Sequence, residues 1–376
     1  MQSPDVYEPI IVDRLEIDLR HATIRDAMAA NNIETLLIYS SALYPYGVHY
    51  AANYDLIGEG ALVVVSRDEP PELYVSEEWE LARAAAVSPL ANIRHETDMA
   101  QLCGALLRRP RTAMAGLEWV GSSYSDVLLR ASGGEARNAS LLLELAARRK
   151  TPLERDLIRR AAALADIGFE AGLAGLRVGL KEYELAAEIE YAMRLGGAVD
   201  NFGLLSSGKH NRAIGLPTDK AVEPGDFLIF EITPAIYSRN YSAQLCRTMT
   251  MGPASDLAKD KYKILEEALA AGIAAVKPGA RASQIVAAQD EVITRHGYGE
   301  YCRPPYMRAR GHGFGLGRID LAPSNQQELE EGTALIVHPN QYFPELGYLA
   351  LGTMLLVTDT GAESLSRLRP AIYERD

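Results

Sequence analysis

The chain has 376 residues, of which 48% are hydrophobic and 23% charged, enough to bury a substantial core and more than one average domain would use. A net charge of −12 with no clustered basic stretch argues against nucleic acid or an anionic membrane as a partner. No uncharged apolar run reaches spanning length, residues 1–20 lack a basic start with an apolar core, and three scattered cysteines, Cys103, Cys246 and Cys302, make neither a disulfide framework nor a zinc site. The expectation is a reducing, cytoplasmic setting.

Residues 1–12 read as a tail or arm. Residues 13–31 carry Leu15, Leu19, Ala22 and Met28 at helical spacing, and 35–39 follow as a short apolar strand. Strands are predicted again at 61–65 and, after Pro70-Pro71, at 72–75; residues 78–86 are helix-like and 114–119 strand-like. Helix and strand alternating in this way imply an α/β layer domain, placed at 1–146, with a second domain at 147–376.

The second domain opens on Thr151-Pro152, a helix start with proline where a first turn tolerates it. An internal echo follows: AGLAGLRVG at 171–179 and AGIAAVKPG at 271–279 match at nearly every position. A repeated helix-glycine-helix unit implies two similar halves. Gly225 and Gly332 each lead an apolar strand, which sets Glu231 and His338 at equivalent strand ends facing one cleft.

Between these units lies the stretch around which the rest is organised, GDFLIFEITPAIYSRNYSAQLCRT at 225–248. A central strand delivers Glu231 and Thr233, and a returning strand puts Gln244 and Cys246 on one face. RGHGFGL at 310–316 packs glycines around His312, letting backbone or ligand come close.

The order of GD-strand-carboxylate, Arg-Thr, GHGFG, an apolar strand ending before Pro339, and LLVTDTGAE at 355–363 resembles the catalytic domain of the pita-bread superfamily. That superfamily contains methionine aminopeptidase, aminopeptidase P, prolidase and creatinase. The resemblance implies an N-terminal creatinase-like α/β domain and a C-terminal pita-bread α+β domain with an internal pseudo-twofold repeat. It also implies a homodimer in which the N-terminal domain caps the partner's site, so that Tyr54, with Tyr46 and Tyr50, is expected to reach a neighbouring subunit. The metal-dependent members hold two divalent cations with two Asp, one His and two Glu. At those positions this chain has Glu231 or Thr233, Gln244, His312, His338 and Gly352, so the resemblance is to a divergent member that has lost most metal ligands.

On that footing the expectation is a metal-independent, creatinase-like enzyme without a cofactor, cleaving a C–N bond of a small amino-acid-derived substrate. Peptidase activity is not expected. Glu231, His312 and His338 would move protons, and Cys246 would be a nucleophile if a histidine lowered its pKa. Gln244, Thr233, Arg310, His210 and Tyr54 would bind the substrate. The alternatives are a lyase, a single metal ion at Glu231, His312 and His338, or a non-catalytic peptidase-like binding protein.

Overall fold

Asp13 opens the first helix: its carboxylate accepts the Glu16 backbone N–H, satisfying one of the donors that a helix start leaves free. Helix α1 (Arg14–Ala30) then buries Ile17, Ile24 and Met28. The structure, a computed structural model, describes residues 12–134 and 136–376, so the expected arm, apart from Val12, lies outside the described residues.

The N-terminal unit runs to Arg148 and adds α2 (Tyr46–Ala52), α3 (Glu80–Val87), α4 (Met99–Leu107), α5 (Ser122–Ser132) and α6 (Ser140–Ala146). Its strands are β1 (Thr35–Ser41), β2 (Gly60–Ser66), β3 (Glu72–Val75), β4 (Asn92–His95) and β5 (Thr112–Ala115). They form one sheet in the order β4-β3-β2-β1-β5, with β1 antiparallel to β2 and parallel to β5. Leu37, Tyr39, Leu62, Val64 and Met114 from the strands pack with Met99, Cys103 and Leu106 of α4, while Leu36, Ile38, Val63 and Val65 are buried on the opposite face, so the central strands are covered on both sides.

One predicted strand is shorter than its apolar run. Residues 114–119 were expected to continue as a strand, but the strand ends at Ala115 and a 3-10 turn occupies Leu117–Trp119. Gly116 makes the break, with φ of 91° and a backbone so close to the Tyr39 carbonyl that no side chain fits there.

From Arg149 the chain builds a second unit in two matching halves. Thr151 and Glu154 cap each other reciprocally, with Pro152 in the first turn, and start α7 (Pro152–Gly175), which is followed by α8 (Glu182–Leu195). The echoed segment starts α9 (Asp256–Ala275) and α10 (Ala282–Arg295) in the second half. The turns between the helices correspond atom for atom. Gly179 and Gly279 have φ of 85° and 80°, and donate to Val222 O and Leu329 O. The backbone N–H groups of Lys181 and Arg281 are then taken up by Glu184 and Gln284, three residues on. The sequence repeat is thus a repeat of structure.

Each helix pair accompanies a four-stranded sheet. The first half supplies β6 (Ala198–Gly208), β7 (Phe227–Ile236) and β8 (Leu245–Met251), and the second supplies β9 (Gly311–His312) and β10 (Ala334–Val337). A short hairpin, β11 (Gln341–Phe343) with β12 (Gly347–Leu349), precedes β13 (Thr353–Val357), β14 (Ala362–Ser364) and β15 (Tyr373–Arg375). The sheet orders are β15-β8-β7-β6 and β14-β13-β10-β9. They join where Gly352 and Cys246 exchange both backbone hydrogen bonds, at 2.9 and 3.3 Å. The molecule is a mixed α/β protein, and among the described residues no helix is long and apolar enough to cross a membrane.

Candidate active site

The register of β7 against β8 settles which side chains meet. Glu231 pairs with Cys246 and Ile232 with Leu245, and the bridge between Ala235 and Ser242 keeps the same register. Thr233 therefore falls opposite Gln244. Side chains two apart on a strand share a face, so Glu231, Thr233, Gln244 and Cys246 form one patch, and the choice between Glu231 and Thr233 left by the sequence is no choice at all.

The second sheet brings the histidines to this patch through a glycine. A Cβ at Gly352 would lie 2.6 Å from His338 Cβ, 3.1 Å from Val337 O and 3.2 Å from Cys246 Cβ, so the absence of a side chain there is what lets His338 sit against β8. His312 pairs with Ile336, two residues before His338, and the two imidazole rings stand 5.4 Å apart, edge to face.

Two further residues complete the group. Asn340 is buried; its Nδ2 donates to Glu231 Oε1 at 2.7 Å while its Oδ1 accepts the Leu351 backbone N–H at 2.9 Å. Tyr348 on β12 turns its phenol towards Glu231, Cys246 and Asn340. The sequence reading missed both. The signal available was the polar run directly after His338 and the tyrosine pair Tyr342 and Tyr348, which face each other across the hairpin.

Burial dominates the electrostatics. It raises the Glu231 carboxyl above the usual range, against the pull of donors on Asn340 and Cys246. It raises the Tyr348 phenol, helped by the nearby Glu231 charge. It lowers His312, against the Gly313 carbonyl, and with His312 alongside it pushes His338 down to about 3. Every group is thereby biased towards its neutral form, as a dry site requires. Within this patch, the buried atoms Thr233 Oγ1, Gln244 Oε1 and His338 Nδ1 have no hydrogen-bond partner among the described residues. Each such atom costs about 1–3 kcal/mol until something satisfies it.

Four of the expected site residues are placed differently from their assigned roles. Cys246 is fully buried, its thiol pushed well up by burial and by the facing Glu231 charge, so it is not an activated nucleophile. Arg310 does not offer its guanidinium to a ligand. It is 1% exposed and bonds Asp290 Oδ1 at 2.7 Å, Asn340 O at 2.7 Å and Gln341 Oε1 at 2.9 Å, so it fixes the loop that carries Asn340. His210 is exposed, bonded to Pro344 O and set edge-on to Tyr342. Tyr54 is fully buried in its own unit, its hydroxyl donating to Glu80 Oε1 at 2.7 Å, and does not reach outwards.

These side chains do not fit the cation pair that the resemblance implies. Glu231 is the one carboxylate on the β7–β8 face, Gln244 is neutral, and His338 Cβ fills the space in front of Gly352. Among the described residues no group of three or more His, Cys, Asp or Glu is placed to hold a metal ion, which includes the set of Glu231, His312 and His338 considered for a single ion. No chemical step is assigned to a metal here.

Comparison with known proteins gives the chain its relatives. The model of metallopeptidase family M24 matches residues 156–359. The Xaa-Pro dipeptidase of Pyrococcus furiosus is 27% identical over 350 residues, covering 90% of this chain and 95% of that protein. Among solved structures, the prolidase from Pyrococcus furiosus superposes with a TM-score of 0.80 at 25% identity, covering 92% of this chain and 99% of that one. The Xaa-Pro dipeptidase from Bacillus anthracis superposes with a TM-score of 0.81 at 25% identity, covering 95% and 99%. These relatives bear out the pita-bread resemblance and its two-domain fold. They overturn the expected function: a metal-independent, creatinase-like enzyme for which peptidase activity is unlikely is not what a chain with dipeptidase relatives along nine-tenths of its length represents. With more than half of its residues inside the matched model, the chain belongs to metallopeptidase family M24.

Proposed function

We propose that this chain is a peptidase-like hydrolase acting on short peptides of the Xaa-Pro type. The observation that carries the reading is its likeness to the Xaa-Pro dipeptidase of Pyrococcus furiosus across 95% of that protein's length, both units included. Glu231 and His312 are the side chains assigned to the scissile bond. A carboxyl whose pKa is lifted by burial is suited to take a proton from an attacking water and return it to the departing imino nitrogen. Asn340 holds one Glu231 oxygen in place, with the Cys246 thiol donating to the same carboxyl. His312, neutral at working pH, orients the carbonyl.

The reading includes a cytoplasmic homodimer. Three free cysteines suit a reducing compartment, and the dimer follows from the resemblance to creatinase-like proteins; sedimentation velocity measures it. The activity is tested by incubating purified full-length protein with Gly-Pro, Ala-Pro and Leu-Pro, with and without added manganese, cobalt or zinc, and measuring free proline. Proline release that Glu231→Gln abolishes supports the reading. Peptides that bind and stay intact under every condition overturn it.

A further inference from the structure

The internal repeat supplies a control for one buried side chain. In both halves the turn before the second helix makes the same backbone bonds. Gly179, Glu182 and Tyr183 donate to Val222 O, Lys220 O and Thr218 O, and Gly279, Ala282 and Ser283 donate to Leu329 O, Gln327 O and Asn325 O. The place filled by Glu182 in the first half is filled by Ala282 in the second, so this turn forms without a carboxylate. Glu182 is nonetheless 3% exposed and takes four donors. Its Oε1 accepts Ser207 N at 2.6 Å and Ser207 Oγ at 2.7 Å, and its Oε2 accepts Thr218 N at 2.8 Å and Thr218 Oγ1 at 2.7 Å. Burying a charge is costly even when it is fully bonded, and the turn does not require this one. What the carboxylate does is close the segment 208–217 at both of its ends.

The closed segment grips the β11–β12 hairpin. Asn211 O accepts the Tyr348 backbone N–H at 2.6 Å, and Asn211 pairs with Gly347 as a parallel bridge. The two backbones are so close that a Cβ on Gly347 would lie 2.5 Å from Asn211 O. Asn211 is anchored in turn by its own Nδ2, which donates to Phe227 O at 2.9 Å, and His210 Nε2 bonds Pro344 O at 3.0 Å. The hairpin sets two groups at Glu231: Asn340, just before its first strand, and Tyr348 on its second.

We propose that Glu182 is a positioning residue: by closing the segment 208–217 it keeps the β11–β12 hairpin, and with it Asn340 and Tyr348, against Glu231. The reaction this serves rests on the peptidase-like reading, while the placement itself is measurable without it. The route is a run of bonded groups, from Glu182 to Ser207 and Thr218, from Asn211 to Tyr348, and from Asn340 to Glu231. Opening it at Glu182 loosens the neighbours of Glu231 and leaves Glu231 itself in place on β7.

The test compares wild type with Glu182→Ala, which installs the residue the second half already uses at this place, and with Thr218→Val, which removes one of the four donors from an exposed residue. Hydrogen exchange read by mass spectrometry is expected to speed up by about tenfold or more in Glu182→Ala both in the segment 208–218 and in peptides covering 341–349, with the matching turn at 276–285 unchanged; Thr218→Val moves the same peptides by less. With Gly-Pro as substrate, kcat for proline release falls about tenfold in Glu182→Ala while KM stays within about twofold. Faster exchange confined to 208–218, with the hairpin as protected as in wild type, makes Glu182 a local clamp and overturns the proposal. So does protection lost evenly across the whole unit, or a raised KM with kcat unchanged. If wild type releases no proline, the peptidase-like reading fails, and the exchange at 341–349 still decides the role of Glu182.

Discussion

Replacing Gly352 by alanine tests the packing on which the site depends. The new methyl would stand 2.6 Å from His338 Cβ, 3.2 Å from Cys246 Cβ and 3.1 Å from Val337 O, where carbon atoms rest at about 3.5–4.0 Å. None of these atoms is the far end of a flexible side chain: two are the first side-chain carbons and one is backbone. The two sheets must therefore part at the Gly352–Cys246 bridge. Overpacking of a rigid contact costs about 1–3 kcal/mol, and the closest distance puts this case near the upper end. At about 2–4 °C per kcal/mol for a unit of this size, that lowers the unfolding midpoint by roughly 6–12 °C, readable by differential scanning calorimetry. His338→Gly removes the nearest obstacle, so in that background Gly352→Ala should cost less by about 1 kcal/mol or more, the coupling expected of touching residues. A Gly352→Ala protein as stable as wild type, or costs that simply add in the double variant, would refute the placement of His338 against β8. The same contact predicts that Gly352→Glu alone does not place a usable carboxylate at this position, because its Cβ meets the same wall.

Acid should weaken the fold through His21, which is buried, bonds the Ala51 carbonyl at 2.7 Å and is lowered by burial from 6.5 to about 4. The unfolded chain takes up the proton first, so this stability is fully present above pH 6.5 and lost as pH falls to about 4; the window is worth about 3 kcal/mol. Urea unfolding across it should show that limb, flattened in His21→Gln. Arg310→Met should lower stability by about 3–5 kcal/mol, since it strands Asp290 beside a broken buried pair; a variant of normal stability with only a raised KM would instead make Arg310 a substrate anchor. Cys246 in the native protein should resist iodoacetamide at neutral pH while the half-buried Cys302 reacts, as mass spectrometry of the labelled peptides can read; rapid labelling of Cys246 would restore it as a nucleophile.

Much of this architecture was legible in local sequence. The glycine-ended helix pairs at 171–179 and 271–279 fold as equivalent turns because φ near 80° at Gly179 and Gly279 is a local demand that only glycine meets cheaply. Period-two alternation placed Gln244 and Cys246 on one face and so found the patch with Glu231. The fates of Arg310 and Tyr54 were not legible, because each depends on a partner brought from elsewhere in the chain: Asp290 and Asn340 for one, Glu80 for the other. Asn340 and Tyr348 escaped for the same reason, since only the β11–β12 hairpin folds them back onto Glu231. The function was misjudged on different grounds. Four substituted ligand positions were weighed against likeness spread thinly along the whole chain, and at 27% identity that likeness is invisible when residues are taken a few at a time.

The most direct test follows the oxygen. Gly-Pro is incubated with the purified protein in heavy-oxygen water, and the products are weighed by mass spectrometry. A peptidase-like hydrolase that cleaves on the imino side must put the heavy oxygen into the carboxylate of the released glycine and none into proline. Intact Gly-Pro, or label found in proline alone, would contradict the account.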